Sequence, residues 1–391
     1  MRVFTCTPVD FGGNANFFTR DSGLLCRGLQ ENGVESRAVM PGAPRPDDLT
    51  DLIRTDYANL ESAAWWRSHQ LDGVVLYAWG SPRFRNVAKA IHDAGCYLIL
   101  NQDNSGPISP LAGLAPWARD QWALAGSGTT LKEKITGAVS ILKGMTVGLA
   151  VTDPLRAAHL RQGDRIACVS PAAAAHYRKL CKWYGGDELV QKIRVLPHSV
   201  EAEFHDRGGD RKPSIVAVGR WDDEAQKRPG LLATTLSEVL LENHAVVATI
   251  AGRTTKQLIA WHRNLPHEVV ARVRLAGPLS RAELVDLFAR TQIFYSSSAF
   301  ESFGIAAAEA LCSGCSVVAE NSGSMESFRW FVSAQSGNLA NSPADHSRAL
   351  LAELAAWQQC DRSAARISAT WREQFHAKNV ANRVIEMINS R

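Results

Sequence analysis

Long hydrophobic runs, paired cysteines and a strong charge of either sign are all missing from this 391-residue sequence. No segment reaches eighteen uninterrupted apolar residues, about the length that spans a bilayer. The nearest, "GAVSILKGMTVGLAV" at 137–151, is broken by Lys143. The stretch "MRVFTCTPVDFGG" has no extended apolar region with a cleavage pattern behind it, so a secretory signal is not expected. The eight cysteines lack the paired spacings of a secreted scaffold, and reduced thiols in a cytoplasm are the expectation. One CxxC occurs, Cys312-Ser-Gly-Cys315, without a second ligand pair or a thioredoxin-like setting. It lies where a helix gives way to the run "CSVVAE", and two packed structural thiols are expected there. A net charge of +4 makes no case for nucleic acid, although it permits a locally basic face toward phosphates or anionic lipid.

What is present is the composition of a soluble globular chain, 46% apolar and 21% charged, too long for one ordinary core. Short β-branched runs alternate with helical stretches throughout, the pattern of parallel α/β units. In the first half they fall at 2–7, 35–40, 73–78, 96–101, 165–170 and 192–197. The polar stretch "EAEFHDRGGDRKPS", 201–214, interrupts them and reads as a linker. The alternation restarts at 214–219, 245–252, 272–277, 292–297 and 315–320. Residues 1–205 and 206–365 are therefore expected to form two α/β domains facing a central cleft. A helix over 366–391 is expected to pack back toward the first. Ligands of such sheets bind beyond the carboxyl ends of the strands.

Two stretches of the second half carry chemistry. "VAVGRWDDEAQKRPGLL" leaves a strand at Gly219 and presents Arg220, Lys227 and Arg228 before a helix begins at Pro229. Such cations suit a diphosphate, Arg as a planar fork of donors and Lys as a mobile point charge. The alternative is a solvated loop neutralised by Asp222, Asp223 and Glu224. In "SSSAFESFGIAAAEAL", Glu301 precedes a helix that starts near Gly304, and Glu309 lies about one turn inside it. Exposed N–H groups at that helix start attract an anion. A carboxylate there is repelled by phosphate, so Glu301 needs hydroxyl groups as partners. Glu309, about 6 Å further along the axis, suits a ribose diol. A ligand with hydroxyls at both ends and phosphates between is a nucleotide sugar.

"VGR…K", "KIRVLPHSVEAEF" and "VRLAGPLSRAELVDLFARTQIFYSSSAFESFGIAAAEALCSGCSVVA" together resemble the retaining glycosyltransferases of family 4, with the GT-B fold of two Rossmann-like domains. The similarity is strong from about Asp164 to Glu326, and Glu301 and Glu309 match its glutamate–seven–glutamate signature. The resemblance implies that Arg220 and Lys227 hold the donor diphosphate in place of a metal, with no cofactor. Glu301 would face the donor sugar and Glu309 the ribose. The amides of Phe303, Gly304 and Ile305 would touch sugar and phosphates, Gly12 and Gly13 would form the glycine-rich loop after the first strand, and the base would lie near Leu275. The donor implied is a UDP- or GDP-sugar. Two departures stand out: Gln102, beside Asp103, occupies the place of a common histidine, and His198-Ser199 replaces the usual Asn-Gly. Gln102 cannot exchange protons, although it can hydrogen-bond a sugar. His198 either lines the cleft or packs as a loop histidine.

The implied reaction moves a glycosyl group to a hydroxyl acceptor with retention of configuration. An epimerase or hydrolase on the same fold, or a donor-binding subunit without turnover, are the alternatives. The acceptor is unknown. Trp65, Trp66, Trp79, Trp117 and Trp122 either stack on sugars or fill the core. The 129–151 segment, with Lys132, Lys134 and Lys143 among apolar residues, either lies on the inner face of a membrane or is a bundled helix.

Overall fold

Thirteen strands are found among the described residues of the computed structural model, residues 1–103, 108–125, 130–322 and 325–390. Every strand pair is parallel. The chain divides into two compact units. The first comprises Met1–Arg119, Ala138–Glu201 and Gln374–Arg391, the second Asp120–Gly137 and Ala202–Glu373. Residues 120–137 thus group with the second unit, where the sequence placed them in the first domain. Position 366 also falls inside a helix, Ala364–Phe375, and the chain returns to the first unit at Gln374.

The first unit holds β1 (Val3–Cys6), β2 (Ala38–Pro41), β3 (Leu52–Thr55), β4 (Gly73–Tyr77), β5 (Tyr97–Gln102), β6 (Arg165–Cys168) and β7 (Ile193–Val195), in the order β3-β2-β1-β4-β5-β6-β7. Its central strands are buried along their length, which is why they read as unbroken apolar runs rather than alternating ones. Its core joins Leu25 and Leu29 of the helix Asp21–Glu31 to Val75, Ile99 and Ala167 of the sheet. Val380, Ala381, Val384 and Ile388 of the helix Ala377–Asn389 complete that core. Four-residue spacing puts these on one face of the helix.

The second unit holds β8 (Ser214–Val218), β9 (Val247–Ala251), β10 (Val273–Gly277), β11 (Ile293–Tyr295), β12 (Ser316–Glu320) and β13 (Gly337–Ala340), in the order β10-β9-β8-β11-β12-β13. The order reverses at β8 and β11, the place where ligands settle beyond strand ends in such sheets. β3 and β13 were not anticipated. β3, "LIRT", is half-buried along its length and carries Arg54 in its middle. That guanidinium is itself buried and bonds Asp48, Asp10 and the carbonyls of Pro41 and Phe11. β13, "GNLA", is four residues with a single large apolar side chain.

Candidate active site

Beyond the carboxyl end of β8 the chain runs from Gly219 through Arg220 into a single helical turn, Glu224–Lys227, which Asp223 caps by accepting from the Gln226 amide. Arg228 then adopts a left-handed conformation, φ 47°, and Pro229 opens the next helix. This sharp turn aims Lys227 at the loop that follows β11. Lys227 Nζ forms an ion pair with Glu301 Oε1, both side chains 14% exposed. The Ser298 hydroxyl donates to the same oxygen at 2.9 Å. Among the described residues Glu301 Oε2 takes no protein hydrogen bond.

The two loops are stitched by backbone and side chain alike. The Ala299 amide donates to the Gln226 carbonyl at 2.7 Å, and Gln226 Nε2 donates to the Phe300 carbonyl at 3.0 Å. Ser297 Oγ donates to the Lys227 carbonyl at 2.6 Å. Arg228 donates to the Ser297 and Ser298 carbonyls at 2.6 and 2.8 Å and pairs with Glu320 at 2.6 Å. Arg228 is therefore a structural clamp. Burial raises the Glu320 pKa, but His346 and Arg228 outweigh it and the net shift is downward. Arg220 is 75% exposed at its side chain, lies 3.6 Å from Asp223 and donates to Gln226 Oε1 at 3.3 Å.

Glu301 is followed by the helix Ile305–Cys312, whose first residue is preceded by Gly304 with no side-chain cap. Gly304 has φ +82°, and a Cβ on it would sit 2.8 Å from the Phe328 ring, so only glycine fits. Phe303 is buried against Phe331, which fixes the entry of the helix. The uncapped end leaves backbone N–H groups beside the Lys227–Glu301 pair, a second source of positive potential.

Glu309 departs from the expectation of an open acid. It is buried and its Oε1 accepts from Arg281 Nη1 at 2.7 Å. Arg281 begins the helix Arg281–Arg290, which Ser280 and Glu283 cap reciprocally. A ribose reaching Glu309 would share it with this guanidinium. Sequence offered no pointer to Arg281, since the pair is 28 residues apart and only the fold brings it together.

An open depression of about 740 Å³ lies along the ends of β8, β9 and β10, lined by Gly219, Arg220, Asp222, Asp223, Gly252, Arg253 and Pro278. Gly252 has φ +109°, and a Cβ there would lie 1.9 Å from the Gly219 carbonyl oxygen. That close approach forms the floor. Leu275 lies within β10 with its side chain against the core, and the strand meets the depression at Pro278 instead. Arg253, unmarked in the sequence reading, adds a cation 3.0 Å from Asp222.

In the first unit, a Cβ on Gly12 would meet only Asn14 Nδ2, at an ordinary 3.9 Å, whereas one on Gly13 would fall 2.1 Å from Leu52 and 2.4 Å from Asp48. Packing against Leu52 and Asp48 is by itself enough to require a glycine at position 13. Gln102 ends β5 fully buried, with Oε1 accepting from the Tyr177 hydroxyl at 3.1 Å. His198 is buried, with Nε2 3.1 Å from Asp103 and Nδ1 3.8 Å from Asp21. It packs as a loop histidine joined to Asp103. Burial lowers its pKa, but the two carboxylates prevail and the net shift is upward. Trp66 and Trp117 are core residues, while Trp122 is 39% exposed. Cys312 and Cys315 are free and buried, and burial pushes the Cys315 thiol up to about 12, as expected of inert packing.

Residues 212–356 match the family model described as Glycosyl transferases group 1. No curated protein matches the chain. Among solved structures, HepE of Anabaena in complex with UDP and glucose superposes with a TM-score of 0.60 at 14% identity, each chain covered in full. The lipopolysaccharide outer core galactosyltransferase WaaB gives 0.64 at 13%, covering 100% of this chain and 99% of that one. Sucrose-phosphate synthase from Thermosynechococcus elongatus gives 0.63 at 12% identity, with the same coverage. The fold is that of the GT-B glycosyltransferases, and the second unit carries a glycosyltransferase group 1 domain.

Proposed function

We propose, from a second unit that carries a glycosyltransferase domain, that this chain moves a glycosyl group from a nucleoside diphosphate sugar to a hydroxyl acceptor, without a metal and with retention of configuration. The observation that carries the reading is the Lys227–Glu301 pair at the β8/β11 reversal, beside an uncapped helix start and an exposed Arg220. An ammonium has three donors and Glu301 uses one of them, so Lys227 retains N–H groups for phosphate oxygens. Arg220 is free to swing onto the same diphosphate. The open Oε2 of Glu301 would accept hydroxyls of the donor sugar.

As the glycosyl bond breaks, negative charge grows on the departing diphosphate. Lys227 and the helix amides oppose that charge with donors already in place, joined by Arg220 once it has swung across, worth roughly 3–4 kcal/mol for each key donor in comparable sites. The departing phosphate then takes the acceptor proton on the sugar face it leaves, which is consistent with retention and asks no proton exchange of Gln102. UDP is the favoured nucleotide because the HepE structure contains it. Eight free cysteines, seven of them buried, support a reducing, cytoplasmic setting.

The test is a thermal-shift screen of nucleoside diphosphates and their sugars, followed by transfer assays with the donor that stabilises the chain. Lys227→Ala and Glu301→Ala are expected to abolish transfer while the melting transition stays cooperative. Wild-type rates in either variant defeat the reading. Turnover of donor at full rate without an acceptor assigns an epimerase or hydrolase instead.

A further inference from the structure

Helical geometry is continuous from Leu131 to Leu160: an α-helix Leu131–Lys143, wider π turns over Gly144–Thr152 and a second α-helix Asp153–Leu160. Only 6% of its most apolar eighteen-residue stretch is buried, so it is no core helix. Its amphipathicity is inverted for a protein in water. The covered side uses glycine: Gly137 lies against the Trp122 ring and Gly144 against Trp117, where a Cβ would come within 2.8 and 2.2 Å of the indoles. The opposite side carries the large aliphatics. Leu131, Ile135, Val139 and Leu142 are 74%, 55%, 56% and 64% exposed. At about 100° per residue these four share an arc of roughly 80°, with both glycines on the far side. Met145, Val147, Val151 and Leu155 continue the exposed apolar surface.

Charge completes the pattern. On the same helical wheel Lys132 and Lys143 border one side of the aliphatic stripe and Lys134 the other, all three exposed. Of the two acids in the helix, Asp153 is buried on Ser109 and Arg156, which leaves the half-buried Glu133 as the only acid to offset the lysines. The neighbouring helix Pro171–Gln191 is tied to this one by the Tyr184 hydroxyl, which donates to the Leu149 carbonyl at 2.7 Å. The adjacent residue, Trp183, is 71% exposed, and with Arg178, Lys179 and Lys182 it lines an open depression.

We propose that this face docks on a bilayer containing anionic lipid, with the helix lying in the interface plane. Apolar side chains would enter the acyl boundary, the lysine stems would lie along it with their ammonium groups on the headgroups, and Trp183 would sit at headgroup level. The helix does not cross the membrane, because its glycine side is covered and Ala157, His159 and Leu160 are buried in the first unit. A second copy of the chain is the weaker occupant: a two-fold interface would bring lysine borders against lysine borders, whereas anionic headgroups neutralise them. The inference stands on this helix and is independent of the donor reading.

Cosedimentation of the full chain with vesicles of phosphatidylcholine, and of phosphatidylcholine mixed with phosphatidylglycerol, tests it. Binding is expected to the mixed vesicles and to weaken with salt. The double variant Val139→Asp, Leu142→Asp should lose at least about tenfold in partitioning. Replacing Lys132, Lys134 and Lys143 by Gln should lose about fivefold per lysine, on the order of a hundredfold together. Melting curves without vesicles, unchanged in both variants, show that the fold is kept. No wild-type binding to mixed vesicles at low salt, or undiminished binding by the aspartate variant, overturns the proposal. So does a wild-type dimer that the aspartate variant splits, because a second copy then covers the face.

Discussion

Glu301→Gln should separate the two partners of nucleotide-sugar binding, tightening the site for UDP while slowing transfer. In the free protein the Lys227 ammonium is neutralised by Glu301, with both side chains largely withdrawn from water. A diphosphate on Lys227 must compete with that carboxylate and endure its repulsion. Two unit charges about 5 Å apart at an effective dielectric constant near 20 interact by roughly 3 kcal/mol. Water at an open site and the rearranged lysine remove about half of this, leaving about 1.4 kcal/mol, or tenfold in Kd. Glutamine keeps the shape and one acceptor, so the loops joined through Gln226, Ser297 and Arg228 should hold. Isothermal titration with UDP should therefore show about tenfold tighter binding. Transfer from the nucleotide sugar should fall about a hundredfold or more, because the charged acceptor for sugar hydroxyls is gone. UDP affinity unchanged or weakened, with transfer intact, would refute the reasoning and leave the ion pair as scaffold.

Other variants probe the frame around the site. Gly252→Ala drives a Cβ into the Gly219 carbonyl at a left-handed φ and should cost about 3 kcal/mol in urea unfolding, since backbone must move. Arg281→Ala removes a guanidinium from the buried Glu309 carboxylate and should cost about 3 kcal/mol, most of which a second change, Glu309→Gln, should restore. His198, raised by Asp103 and Asp21 against the effect of burial, holds its proton more tightly folded than unfolded. The stability it adds is complete below the unfolded value near 6.5 and is lost as pH rises through the higher folded value. The melting-temperature gap between wild type and His198→Gln should accordingly narrow from pH 5.5 to pH 8 (about two units around that value); a widening gap contradicts the assignment. Chelator should leave transfer unchanged, and a sharp loss would show that the cations do not replace a metal.

Both sheets were legible because buried parallel strands are runs of apolar residues, and "GVVLY", "YLIL" and "SIVAV" have no helical period. β3 escaped because its burial is partial and its arginine reads as surface, although that guanidinium is buried on two aspartates. The outline of the site was legible too, since Lys227 and Glu301 border the same strand reversal. Its pairing was not. Lys227–Glu301 and Arg281–Glu309 join positions 74 and 28 residues apart, and no local pattern encodes which acid meets which base. The glycines show the same limit. The positive φ of Gly304 belongs to a helix start, but its clash with Phe328, like that of Gly13 with Leu52 and Asp48, exists only because the fold brings distant residues near.

The apolar face of Ala377–Asn389 closes the interior formed by β1, β4 and β5, and this bears on how the polypeptide is made. A ribosome will have emitted residues 202–373 before the segment that finishes the first unit leaves the exit tunnel. The later portion can therefore mature while the earlier one waits, the reverse of the usual N-terminal-first schedule. During that interval Leu25, Leu29 and Val75 lack their cover, and a nascent chain halted before Gln374 would present sticky surface to chaperones.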